Sequence, residues 1–324
     1  MTHLLKKIYI TSALLLMTSI GYAYADPSSL TCEETEDCCP CQTRCSGKVF
    51  LGAELLYWRA FNSGINICLP DDVSETITPG GQVISTFRGK TRNPRFEWNP
   101  GFRVGAGYES TSGHWDFAVL WTHLDSKAHS SGNHENRHRW KLNFDVIDIV
   151  AGYKSDLSSC FVLRPFGGLR GARIDQKLHA GHFFSSSSFY SAYDFNRSHK
   201  SDKEKFEGIG PLIGLEAEVS VFCNFSVYGN VSVSWLYGKF NVHLQEDTAF
   251  EDAFNACHVR KHLDATITAM DAALGIRWHK CICKNKQLII QLGLEHHRYF
   301  NYNRLCEYGD LSFDGVNLSA GFGF

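Results

Sequence analysis

From Phe313 to Phe324 the chain alternates between apolar and polar positions with a period of two. Val316, Leu318, Ala320, Phe322 and Phe324 share one face, and Gly315, Asn317, Ser319, Gly321 and Gly323 share the other. Successive strand side chains point to opposite faces, so this segment predicts a strand with an apolar stripe on one side and small or polar groups on the other. The pattern recurs upstream and predicts ten strands, at 48–60, 97–109, 114–124, 140–154, 160–174, 206–221, 224–240, 262–279, 286–299 and 313–324. Connections alternate in length. Short ones fall at 110–113, 155–159, 222–223 and 280–285, and long ones at 61–96, 125–139, 175–205, 241–261 and 300–312. Short turns on one side, long loops on the other and an even strand count describe a transmembrane antiparallel β-barrel, an all-β fold. Further hairpins inside the long loops would raise the count, leaving 10–16 strands open.

Facing follows from parity. In the sixth strand Ile209, Ile213, Leu215, Val219 and Val221 are assigned to lipid and Glu216 and Glu218 to the interior; in the seventh, Phe225, Val227, Val231, Val233, Trp235 and Tyr237 face out. The same rule turns Glu54, Arg103, Asp116, Arg164, Arg170, Asp271, Arg277, Glu295 and His297 inward. An Arg or Lys on the lipid face near the midplane would cost ~2–4 kcal/mol, so the segregation is meaningful. Asp145 and Asp148 have opposite parity, which requires one of them to sit above the membrane or a bulge to intervene.

The N-terminus predicts export. Lys6 and Lys7 precede an apolar run from Ile8 to Met17, and Ala23-Tyr24-Ala25 is a small-x-small cleavage site. The expected organisation is a signal peptide at 1–25, a Cys-rich periplasmic leader at 26–47 and a barrel at 48–324, in a bacterial outer membrane. Such a barrel must close its last strand on its first, because an unpaired backbone edge is not tolerated in lipid. The terminal Phe resembles the C-terminal assembly signal of outer-membrane barrels. A mean hydropathy of −0.21 is compatible with this, since only alternate strand residues meet lipid. Lys+Arg number 32 against 34 Asp+Glu, so there is no broad basic surface for nucleic acid.

Seven blocks carry a family resemblance: ELLYWRA at 54–60, GFRVGAGY at 101–108, WDFAVLWTHLDS at 115–126, RPFGGLRGARIDQ at 164–176, FEGIGPLIGLEAE at 206–218, NVSVSWLYGKFNV at 230–242 and LGLEHHRYFNYN at 292–303. Together they resemble the Legionella major outer membrane protein family over about Lys48 to Phe324. The resemblance implies a porin-like outer-membrane barrel with no catalytic residues. The Cys-dense leader is similar to the Cys-rich branch of chlamydia-like bacteria, in which envelope proteins are disulfide cross-linked.

The chain has 12 Cys, none in the signal segment. On this topology Cys32, Cys38, Cys39, Cys41, Cys45, Cys160, Cys223, Cys281 and Cys283 are periplasmic, an odd set that cannot pair wholly within one chain; Cys68, Cys257 and Cys306 are external. An oxidising compartment favours disulfides. Intermolecular bridges to envelope proteins lead, ahead of internal pairs and a zinc cluster in the leader. His123, His129, His134 and His138 are irregularly spaced among Ser, Gly and Asn, so a solvated loop is expected rather than a metal site. No cofactor, metal or catalytic set is expected.

The inward charges Glu54, Arg103, Asp116, Arg164, Arg170, Glu216, Glu218, Asp271, Arg277 and Glu295 are candidate pore-lining residues. In a wide barrel they would line an aqueous path; in a narrow one they would pair across the lumen and close it. The leading expectation is a porin-like channel for small hydrophilic solutes that also serves as a structural envelope protein. The alternative is a disulfide cross-linked scaffold or adhesin with little pore activity. Expected partners are outer-membrane lipid, cross-linked envelope proteins, a second copy of the chain and a host-surface ligand.

Overall fold

The structure, a computed structural model, describes residues 48–324 except 64–66, 78–82, 93–94, 130–137, 189–190, 223, 251–252, 284–285 and 306–307. The signal segment and the Cys-rich leader lie outside the described residues. Ten long strands form the wall: β1 (Lys48–Asn62), β2 (Trp98–Glu109), β3 (Trp115–His129), β4 (His138–Tyr153), β5 (Phe161–Ser188), β6 (Ser191–Phe222), β7 (Phe225–Phe250), β8 (Ala253–Cys283), β9 (Lys286–Asn303) and β10 (Gly309–Gly323). Each pairs antiparallel with its neighbours in sequence, and β10 closes on β1. The seam runs to the last residue, where Phe324 and Val49 exchange backbone hydrogen bonds of 3.0 and 2.9 Å. Among the described residues the ladder runs round the full ring of ten strands, as lipid requires.

The barrel therefore has the predicted ten strands, but several are longer than expected. The stretches 175–205 and 241–261, expected as long loops, are mostly wall: β5 and β6 stay in register from Phe161↔Val219 to Phe183↔Arg197, and β7 and β8 pair as far as Phe250↔Ala253. Above the membrane the outward face turns polar and the buried inward face mixes Leu178 and Val242 with Gln176, Asp202 and Glu204, so the period-two apolar signal fades although the ladder continues. A hairpin, Ile67–Ile77 with Val83–Arg92, does occur inside the 61–96 connection, but its two strands pair with each other and add nothing to the barrel. The wall is tightly drawn at Gly210, where a Cβ would fall 1.7 Å from the Trp235 carbonyl oxygen. Only glycine permits that approach.

The outside is apolar, with Leu55, Phe117, Ile149, Ile213, Leu274 and Leu318 among its exposed side chains. The ambiguity at Asp145 and Asp148 resolves without a bulge, because β4 keeps unbroken register with both neighbours. Asp148 points inward, while Asp145 stands outside, where it accepts hydrogen bonds from Trp121 Nε1 at 3.3 Å and from the His123 ring at 2.8 Å.

Candidate functional site: the layered lumen

Inward-facing side chains divide the interior into three layers. Toward the periplasm they are small, with Gly52, Gly105, Gly107, Ala118, Ser319 and Gly321 bordering a cavity of about 660 Å³. Small side chains at alternate positions leave this volume empty.

The middle layer is charged and contains all ten candidate pore residues. Arg103 Nη1 donates to Glu54 at 2.7 Å and to Glu295 at 2.9 Å, while its Nε donates to Thr122 Oγ1 at 3.0 Å. Arg170 forks onto Asp148 at 2.7 and 2.8 Å and reaches Asp271 through Nη1 at 2.5 Å. His297 joins these two clusters: Nδ1 lies 2.7 Å from Asp271 and Nε2 3.3 Å from Glu295. An imidazolium donating from both nitrogens satisfies that geometry. Nearer the periplasm, Arg164 Nε donates to Asp116 at 2.8 Å and its Nη1 to Glu216 at 3.2 Å. Arg277 Nη2 donates to the other Glu216 oxygen at 2.8 Å, and its Nη1 contacts Glu218. Arg103, Arg164 and Arg170 thus each bridge carboxylates from two different strands, while Arg277 of β8 holds two carboxylates of β6. Asn317 Nδ2 also donates to Glu295 at 3.1 Å; Asp148, Asn317 and Thr122 are not among the candidates read from the sequence, and parity turns His297 inward without revealing its bridging role. A pocket of about 230 Å³ lies among these side chains.

The extracellular layer is apolar and packed. Trp58, Phe144, Tyr299, Tyr302, Phe206, Phe240 and Phe313 are each at most 2% exposed. Phe144 of β4 lies 4.7 Å from Phe313 of β10 and 5.6 Å from Tyr299 of β9, measured between ring centroids. In a ring of ten strands β4 and β9 are diametrically opposed, so the Phe144–Tyr299 contact spans the lumen. Above it, Asn62 Nδ2 of β1 donates to Gln176 Oε1 of β5 at 2.8 Å, Gln176 Nε2 donates to Asn303 Oδ1 at 3.2 Å, and the Tyr302 hydroxyl donates to the Ile174 carbonyl at 3.2 Å. These too cross between non-adjacent strands. The apolar plug was not anticipated, although Leu56, Trp58 and Ala60 share the parity of Glu54 and were therefore legible as inward.

The profile of the Legionella pneumophila major outer membrane protein precursor family matches residues 39–320. The chain belongs to this family. As a Legionella-type major outer membrane protein it resides in the outer membrane, in agreement with its apolar outer belt. No curated protein matches the sequence. Among solved structures, the outer membrane protease OmpT of Escherichia coli is similar at 10% identity, with 88% of this chain and 99% of that chain covered and a TM-score of 0.43. Ail, the attachment invasion locus protein of Yersinia pestis, is similar at 9% identity, covering 86% and 100%, with a TM-score of 0.29. A Pseudomonas aeruginosa FadL homologue is similar at 8% identity, covering 86% and 90%, with a TM-score of 0.28. These likenesses are loose and carry no functional argument.

The remaining candidates lie away from the lumen. Cys160 and Cys281 are disulfide-bonded, and Cys257 is a free, exposed thiol on β8. Cys32, Cys38, Cys39, Cys41, Cys45 and Cys223 fall outside the described residues, as does the side chain of Cys283. Of the histidine group, His123 is engaged by Asp145, and His134 is outside the described residues.

Proposed function

We propose that this protein acts as a sealed structural barrel of the outer membrane, a scaffold with little pore activity whose long outer strands present a surface to the exterior. The observation that carries this reading is the Phe144–Tyr299 contact, which places two aromatic rings from opposite walls 5.6 Å apart across the lumen. A hydrated ion or sugar needs a continuous wet path, and a layer packed at interior density offers none. The charged layer supports the same reading, because its guanidinium groups are held by carboxylates from several strands. Partners in this reading are outer-membrane lipid and envelope proteins joined through periplasmic cysteines.

The porin-like alternative draws support from the periplasmic cavity of about 660 Å³, a half-channel that opens only if the aromatic plug moves. Liposome swelling separates the two. Vesicles carrying the folded protein are expected to exclude small sugars as protein-free vesicles do; swelling rates that fall with solute size would establish the porin reading instead.

A further inference from the structure

Outside the barrel, on the extracellular part of the wall, successive registers form rows of outward side chains that can be followed from β3 to β7. The row Trp121, Ile147, Gly171, Ile209 and Tyr237 ends the apolar belt. Two residues further out lies the row His123, Asp145, Arg173, Glu207 and Lys239, and beyond it Asp125, Asn143, Asp175, Lys205 and Asn241. Both rows mix signs and neutralise themselves: Arg173 pairs with Asp175 at 3.1 Å and Lys205 with Glu207 at 2.7 Å.

The next row does not. Lys127, Lys141, Lys177 and Lys203 stand directly opposite one another across β3, β4, β5 and β6, and the row continues through His243 into Arg260 on β8. All four lysines are exposed, and none takes part in an ion pair among the described residues. Like charges directly opposed in a sheet repel, so the row costs stability unless an anion is supplied from outside. A surface cavity of about 670 Å³ is bordered by Lys127, Lys141, Lys177 and Lys203, with Lys205, His243, Asp125 and Asp175 also on its rim. The positive field is felt one register beyond, where burial and the neighbouring His199, Lys203, Lys141 and Arg139 hold the His179 imidazole below its usual range.

We infer that this lysine row binds the phosphate groups of outer-leaflet glycolipid. Height selects this polyanion over a soluble one. Six residues along a strand tilted by ~40° raise the row by about 15 Å above the Trp121 boundary, within the phosphorylated sugar zone that rests on the acyl chains. Opposed members of the row are about 5 Å apart from strand to strand, and adjacent ammonium groups suit closely spaced phosphates.

The test uses the full-length protein, folded by the criterion of heat-modifiable migration, with lipopolysaccharide carrying its lipid A phosphates as probe and the dephosphorylated form as control. Native protein is expected to retain the phosphorylated probe and to release it as salt rises from about 0.1 M to 1 M. The Lys127→Gln, Lys141→Gln, Lys177→Gln, Lys203→Gln variant should bind at least roughly tenfold more weakly. A Lys239→Gln control, drawn from a mixed row and outside that cavity, should bind as native. If the quadruple variant does not fold, the pairs Lys127/Lys141 and Lys177/Lys203, changed separately, should each weaken retention several-fold. Equal binding by the lysine variants or of the dephosphorylated probe overturns the inference. So does displacement of the probe by millimolar inorganic phosphate, which marks a small-anion site, or a soluble sulfated glycan binding where the glycolipid does not.

Discussion

Phe144 and Tyr299 meet edge to face at 5.6 Å although their strands lie on opposite sides of the barrel. This contact spans the extracellular half of the lumen, and Trp58 and Phe313 pack around it, at 6.4 and 4.7 Å from the Phe144 ring. A core inside a barrel stabilises the wall as a core does in a soluble domain. Phe144→Ala is therefore expected to cost ~3–5 kcal/mol, the usual range for a buried Phe truncated to Ala. Denaturant unfolding in detergent micelles measures it, and a loss under about 1 kcal/mol would mean that the rings are not packed.

The charged layer makes a second prediction at Arg170, which holds Asp148 and Asp271 at once. Removing one partner of a buried pair leaves an uncompensated charge, typically at a cost of ~3–5 kcal/mol. Arg170→Met should be destabilising by about that amount, and adding Asp148→Leu should restore part of it, since Asp271 keeps His297 at 2.7 Å. Additive losses in this double-mutant cycle would show that the pair is not coupled.

Outside the membrane, Glu204 gives a pH dependence. Burial pushes its carboxyl up to about 8, against the hydrogen bond of 2.8 Å from the Arg304 backbone N–H. An unfolded Glu titrates near 4.3, so the fold favours the protonated form. That contribution is present in full below about pH 4 and is lost as pH rises through about 8. Native protein should be less stable at pH 9 than at pH 5 by roughly 2–4 kcal/mol from this group, and Glu204→Gln should remove that part of the slope. Tryptophan-monitored unfolding at the two pH values checks it; an identical slope in the variant would clear Glu204 of the effect.

If the periplasmic cysteines join this protein to its neighbours, non-reducing gels of whole envelopes should show high-mass species that collapse to monomer on reduction. Thiols must be blocked before lysis. A lone monomer band in both lanes would assign the cysteines to internal pairs.

Lipid made the outer face legible. It imposes a period of two on every strand that crosses it, and parity alone placed Ile209, Ile213 and Leu215 outside and Glu216 and Glu218 inside. Parity also turned Arg103 and Glu295 inward, but not toward each other. Their meeting depends on how far register shifts around a closed ring, and β2 and β9 are three strands apart. The plug was harder to see because an apolar residue facing a packed lumen looks like one facing lipid. On β4, Phe144 and Val146 inside and Ile147 and Ile149 outside merge into one apolar run with only Asp145 and Asp148 to break it. The extended walls of β5 to β8 are hidden for the opposite reason: beyond the membrane, rows such as Lys177 and Lys203 meet water, and the strands continue without an apolar outer face.

Planar-bilayer recording of the full-length protein tests the sealed lumen most directly. No steady conductance step is predicted for the native protein, whereas Phe144→Ala combined with Phe313→Ala should admit brief, irregular openings. A stable open state in native protein would contradict the account, above all if its reversal potential under a salt gradient moved toward anions in a Glu216→Gln, Glu218→Gln variant, because those carboxylates would then line a water-filled path.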